Sequence, residues 1–279
     1  MAKSFKTVRL KNTLAWLLAT GVLFSSQLAG APLVPTGVEF TLAESSSHFT
    51  RPKTPLAAHL GGNGGVVIWR VREPHPGMVA QLLDSNHHPL DVPFVFRPSE
   101  DEEGDTLRGL FPTPTGEFIV LWDTYFHEDY YDDNGDRLPQ PIDVFYRRLD
   151  AAGQPLGPEV EVSEDRETRS DFVSGTISGK GDFLVVWDAV GKIETPPYAV
   201  HRIKGRAFDD EGEAYGPAFE AVNQGEELIS KPRVAYLGED KFVVIWTAAE
   251  ITYGQLIDRD GGRHSDVFFV TDGGACQQL

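Results

Sequence analysis

Four short runs of β-branched and aromatic residues recur along the chain, each closed by a tryptophan. They are Val66-Val67-Ile68-Trp69, Phe118-Ile119-Val120-Leu121-Trp122, Phe183-Leu184-Val185-Val186-Trp187 and Phe242-Val243-Val244-Ile245-Trp246. Runs of this length and composition, bounded by turn residues, read as strands. Their apolar character is continuous instead of alternating, which predicts that both faces are covered, as in a sheet held between two other sheets. The four tryptophans are therefore expected to be buried between neighbouring sheets.

Two further landmarks follow each tryptophan. The first is Gln81-Leu82-Leu83-Asp84, Arg148-Leu149-Asp150, Arg206-Ala207-Phe208-Asp209 and Gln255-Leu256-Ile257-Asp258, and the second is Phe94, Val160, Phe219 and Phe268. The separation from Asp to the second landmark is 10 in all four units, and from that landmark to the next tryptophan it is 27 or 28, with Phe40 standing 29 before Trp69. Only the stretch from Trp to Asp varies, taking 15, 28, 22 and 12 residues. Insertions are thus confined to one connection of the repeat. Asp150 to Gly153, Asp209 to Gly212 and Asp258 to Gly261 have Asp first and Gly fourth, the preference of a type I turn. The corresponding Asp84-Ser85-Asn86-His87 lacks the glycine, so a looser turn is expected there.

Each unit resolves into four short strands, as in Arg233 to Leu237, Phe242 to Trp246, Tyr253 to Ile257 and Asp266 to Val270. The reading is an all-β β-propeller, or partial propeller, of about four four-stranded antiparallel blades. The units fall at approximately 54–96, 107–162, 172–222 and 232–270, within a repeat domain of residues 32–279. One extra N-terminal strand is predicted at Gly37 to Leu42, which matches the fourth strands of the later units. The sequences Gly116 to Trp122 and Tyr146 to Val160 resemble the degenerate propeller repeats of exported bacterial proteins. That resemblance spans residues 37 to 270 and implies a fold, with almost nothing about activity. The pairs Trp122-Asp123 and Trp187-Asp188 do not make WD repeats, since two units lack the pair and the upstream Gly-His is missing. The sialidase Asp-box is not found.

The N-terminus changes the picture of where the chain works. Lys3, Lys6, Arg9 and Lys11 precede an apolar run from Leu14 to Phe24, followed by Ala29-Gly30-Ala31, the pattern of a secretory signal peptide over residues 1–31. The run is shorter than the roughly 20 residues of a membrane span. An exported, periplasmic or extracellular product is expected, with no membrane span. Loss of the leader removes four cationic and no acidic side chains, taking the formal charge from -17 to -21. Such a field disfavours nucleic acid and favours cations or basic partners. Cys276 is the single cysteine, which excludes an intramolecular disulfide and cysteine-rich zinc patterns.

In a four-stranded meander the connections two-to-three and four-to-next-one emerge on the same side, and all the insertions lie there. So do the acidic links Glu100 to Asp105 and Glu164 to Glu167. The longest insertion contains His127 to Asp136, in which Asp132, Asn134 and Asp136 have the alternate spacing of a calcium loop, although the glycine precedes the third ligand and no Glu closes the site. A solvated acidic loop is the competing reading. His127-Glu128 begins a zinc-protease pattern that fails at Tyr131. Arg70, Asp123, Asp188 and Thr247 each follow a strand-two tryptophan. Asp123 and Asp188 are candidates for the paired carboxylates of a carbohydrate-active enzyme, or caps of the adjoining loops. The eight histidines are scattered with no two at ligand spacing, and His87 and His88 fall in a turn. No nucleophile elbow, phosphate loop or dinucleotide fingerprint occurs. The expectation is a secreted binding or scaffold module, calcium-stabilised in one version, whose interaction surface is the acidic side bearing residues 98–106, 123–143 and 163–171. Its partner would be a protein, a cation or a carbohydrate, and the alternative function is a carbohydrate-active propeller enzyme.

Overall fold

The computed structural model describes residues 55–61, 64–71, 77–98, 104–125, 142–164, 169–192, 199–222 and 229–272. The leader, the expected strand at Gly37 to Leu42 and the loop carrying Asp132, Asn134 and Asp136 lie outside them. The described residues form sixteen strands in four antiparallel groups of four. Blade 1 contains β1 (Leu56–His59), β2 (Gly65–Val71), β3 (Gly77–Leu83) and β4 (Pro89–Pro98). Blade 2 contains β5 (Asp105–Pro112), β6 (Phe118–Tyr125), β7 (Ile142–Leu149) and β8 (Val160–Glu161). Blade 3 contains β9 (Arg169–Ile177), β10 (Phe183–Lys192), β11 (Ala199–Phe208) and β12 (Phe219–Val222). Blade 4 contains β13 (Ile229–Gly238), β14 (Lys241–Ala248), β15 (Ile251–Asp258) and β16 (Phe268–Asp272). One parallel bridge, Ile142 to Arg169, joins blades 2 and 3.

The continuous apolar runs are buried on both faces because alternate residues serve different neighbours. From β6, Phe118, Val120 and Trp122 pack on blade 1 with Val66, Ile68 and Met78. Ile119 and Leu121 from the same strand join Val173, Phe183, Val185 and Trp187 of blade 3. Leu184 and Val186 then meet Val234, Phe242, Val244 and Trp246 of blade 4. The tryptophans of blades 2 to 4 thus face the preceding blade, while Trp69, Val67 and Val79 form a separate cluster on the outward face of blade 1. All four side chains are buried. The four blades make a β-propeller or partial propeller, and among the described residues no shared core joins blade 4 to blade 1.

Recurrent polar contacts lock this arrangement. Asp84, Asp150, Asp209 and Asp258 each accept two main-chain N–H bonds through Oδ1, at 2.6–3.0 Å, from the turn that follows. The turn of blade 1 is not looser than the rest. His87 N–H donates to Asp84 O at 2.9 Å just as Gly153 N–H does to Asp150 O. His87 adopts φ 65°, the left-handed conformation that Gly153, Gly212 and Gly261 adopt at φ 79°, 89° and 80°. The bond donated by the His88 N–H holds the Asp84 carboxyl below its ordinary pKa.

Neighbouring blades are also fastened by side chains. Arg147 Nη1 donates to Phe96 O of blade 1 at 3.1 Å, and Arg206 Nη1 to Glu161 O of blade 2 at 3.1 Å. Tyr146 donates its hydroxyl to Gly212 O of blade 3. Phe94 and Phe219 press on Gly153 and Gly261 of the following blades, leaving no room there for a Cβ.

Candidate functional site

The insertion-bearing side carries the second strands' C-terminal ends, and polar side chains sink into the fold there. Arg70, Asp123 and Asp188 are buried and Thr247 is half-buried. Asp123 accepts from Arg108 Nε at 2.5 Å, and Asp188 lies 3.1 Å from Nδ1 of His201. Alternation along β6 places Asp123 on the face of Ile119 and Leu121, toward blade 3. Along β10 it places Asp188 on the face of Leu184 and Val186, toward blade 4. The two carboxylates therefore point into different inter-blade gaps, each bound to a basic side chain of its own blade.

A third acid at this end, Asp105, is buried and pairs with Arg97 of blade 1 while accepting from Thr124 Oγ1 at 2.8 Å. Arg97 also reaches Glu159 at 3.2 Å and lies over the Trp122 ring, 5.1 Å from its centroid. These contacts close the blade 1–2 seam with charges that compensate each other, since a buried ion must be paired to be tolerated.

The first strands of blades 2 to 4 share a feature that the sequence pattern did not reveal. Opposite each tryptophan the pairing register slips: at Arg108 in β5, at Phe172-Val173 in β9, and at Lys231-Pro232 in β13. Phe172 and Lys231 take φ 50° and 57° at these bulges. Bulges re-aim side chains, and for a bulky residue such a φ is a genuine outlier. All three bulge residues are exposed, including Phe172 at 41%. The strands lie side by side, since Val234 and Tyr236 of β13 donate their N–H groups to Ser174 Oγ and Thr176 Oγ1 of β9, both at 3.3 Å. An aromatic surface and an ammonium are thus offered at equivalent places on blades 3 and 4, while the guanidinium at the corresponding place on blade 2 is held by Asp123.

Among the described residues no group of three His, Cys, Asp or Glu side chains gathers as a metal cage. Two histidine arrangements are nevertheless formed by the fold and hidden in the sequence: His201 against Asp188, and His59 with its ring 6.0 Å from that of His87. A groove of about 560 Å³ runs between Leu90, Val92 and Phe94 of β4 and Ala151, Ala152 and Gln154 of the blade 2 turn, away from Asp123 and Asp188. No described helix is long and apolar enough to cross a membrane.

No protein-family model matches the chain, and no curated sequence matches it. Solved structures are similar at low identity. A Hadza microbial sialidase is 14% identical with a TM-score of 0.40, over 74% of this chain and 43% of its own. The chain thus spans less than half of that sialidase. A protein of unknown function from Dyadobacter fermentans is 11% identical with a TM-score of 0.49, over 81% and 71% of the two chains. An endo-arabinase from Bacteroides thetaiotaomicron is 11% identical with a TM-score of 0.41, over 78% and 75%.

Proposed function

We propose that this chain is an exported, non-catalytic binding module whose interaction surface is the insertion-bearing side of the blades. The observation that carries the reading is the contrast between two sets of residues at that end. Asp123 and Asp188, which a hydrolytic pair would need in one pocket, are buried in separate gaps and engaged by Arg108 and His201. Phe172 and Lys231, by comparison, are presented outward on bulges. A rigid exposed aromatic beside an ammonium suits a carbohydrate, with the ring covering an apolar sugar face and Lys231 donating to its hydroxyl oxygens. The acidic segments 98–106, 123–143 and 163–171 on the same side would take a cation or a basic partner. Asp132, Asn134 and Asp136 are the proposed calcium ligands.

Titration calorimetry against acidic and neutral polysaccharides tests the reading. Binding of a polysaccharide that Phe172→Ala abolishes, with the fold intact, supports it. Binding that survives Phe172→Ala and Lys231→Ala places the interaction elsewhere. The enzyme alternative is favoured by one arrangement, the buried Asp188 carboxylate orienting a partly exposed His201 imidazole, as a general base is oriented. Glycan turnover that disappears in His201→Ala would establish it in place of the binding reading.

A further inference from the structure

Blade 1 departs from its three siblings at three positions together, and the departures meet at one point. Four residues before the tryptophan, blades 2 to 4 carry Phe118, Phe183 and Phe242, but blade 1 carries Gly65. Across the strand pair from this position, the siblings have Pro112, Ile177 and Tyr236, while blade 1 has His59. At the left-handed position of the turn between third and fourth strands, the siblings have Gly153, Gly212 and Gly261, and blade 1 has His87. Neither glycine has room for a side chain without a shift of its neighbours, since a Cβ on Gly65 would lie 3.1 Å from Ala58 O and one on Gly64 would strike Leu83 O at 2.0 Å. His59 pairs with Gly65, and its imidazole meets that of His87 with centroids 6.0 Å apart and planes tilted by 47°.

The cost of this arrangement points to a use. A side chain in the left-handed region is disfavoured relative to glycine, and strained positions concentrate at ligand sites. Both rings project from the outward face of blade 1, since His59 pairs with Gly65 on the face of Val67 and Trp69. In the siblings the preceding blade presses on the turn glycine from this direction, as Phe94 does on Gly153. Both histidines are exposed. The neighbouring His88 turns instead to Asp84, with Nδ1 3.8 Å from Oδ2.

We propose that His59 and His87 form a binding site for a borderline-soft divalent metal ion of the Zn2+, Ni2+ or Cu2+ class. With metal–nitrogen bonds of about 2.0–2.1 Å, two imidazoles sharing one ion have ring centroids roughly 5–6 Å apart, which is the separation observed. Imidazole selects these ions over Ca2+ or Mg2+, which take oxygen ligands. Water completes the coordination on the exposed side. The site is separate from the insertion-bearing side, because His59 and His87 stand at the opposite, short-turn ends of their strands.

The test is a Zn2+ titration of the full chain, followed through the imidazole C–H resonances. His87→Gly is the decisive variant, because it restores the residue that the sibling turns use and should fold at least as well. One saturable equivalent that moves the His59 and His87 signals together is expected. That response should be lost in His87→Gly and in His59→Ala and kept in His88→Ala. Zn2+ that leaves both signals unmoved, as an ion held only on the acidic loops would, overturns the proposal. So does a His59 shift that persists in His87→Gly.

Discussion

Arg206 Nη1 stands 3.1 Å from the main-chain oxygen of Glu161, so the third strand of one blade is tied to the fourth strand of the blade before it. Arg206 Nε meets Gly216 O of its own blade at 3.3 Å, and Nη2 meets Glu164 at 2.5 Å. Arg147 repeats the pattern one blade earlier, on Gly157 O and Phe96 O. The equivalent residues of the end blades are glutamines. Gln81 donates to Leu90 O and Gln255 to Ser265 O, both within their own blades. The longer, forked arginine appears in the two middle blades, where a single side chain satisfies carbonyls on both sides of a seam.

Arg206→Gln should therefore keep the bond within blade 3 and lose the seam, costing roughly 1.5–3 kcal/mol, as for other hydrogen bonds to a charged group. Gln255→Ala should cost less, because among the described residues its side chain bonds Ser265 O of its own blade. Urea unfolding of both variants checks the order. An equal loss would mean that the seam adds nothing.

These seams explain how far the sequence could be read. The blade count and the four-strand meander were legible because the tryptophan runs and the Asp turns are local signals with constant spacing. Double-sided burial of Phe118 to Trp122 followed from the continuous apolar run, as the clusters on both faces bear out. The blade 1 turn departs from the expected looseness because His87 takes the left-handed conformation that glycine takes in the siblings, within the same hydrogen bonds. The bulges at Arg108, Phe172 and Lys231 were invisible, since an extra residue in a strand leaves no mark in a run of mixed composition. The pairs Asp188–His201 and His59–His87 join residues on different strands, so no spacing rule could find them. Gly65 and His59 are legible as departures of the first unit in the same way as His87, by their place in the repeat.

The tryptophans test the inter-blade core. Trp187 is fully buried against Ile119, Leu121 and Val144 of blade 2. Trp187→Ala should cost about 3–5 kcal/mol, as for other large buried aromatics. Unfolding followed by circular dichroism measures the loss. A change within about 0.5 kcal/mol, as at an ordinary surface position, would contradict the packing described.

Gly153 tests the contact between turn and preceding blade. Its φ of 79° disfavours a side chain, and a Cβ there would lie 2.0 Å from Cζ of Phe94. Gly153→Ala should therefore lose more than the roughly 1–2 kcal/mol that left-handed backbone costs alone. In a Phe94→Ala background the same substitution should cost only the backbone share. A double-mutant cycle gives the coupling, and additive effects would remove Phe94 from the account.

Tyr146 ties stability to alkaline pH. Burial pushes its phenol up to about 12, from an ordinary value near 10. The neutral hydroxyl is the donor to Gly212 O, and it packs edge-on against Phe183 and Phe208 at 4.8 and 4.9 Å. Because the folded value lies above the unfolded one, the stabilisation is complete below about pH 10 and is lost as pH rises through about 12. In that window the unfolded chain holds fewer protons, so stability must fall with increasing pH. Tyr146→Phe removes the donor, lowering stability at neutral pH by about 1 kcal/mol, and it also removes the titrating group. The variant should then show a shallower decline between about pH 10 and 12 in urea unfolding. Tyr215 is likewise raised to about 12, by burial and then by its bond to Asp182, but it is an exposed side chain. Water screens that contribution, so Tyr215→Phe should leave most of the decline in place. A decline equally steep in Tyr146→Phe and the native chain would show that other groups govern alkaline unfolding.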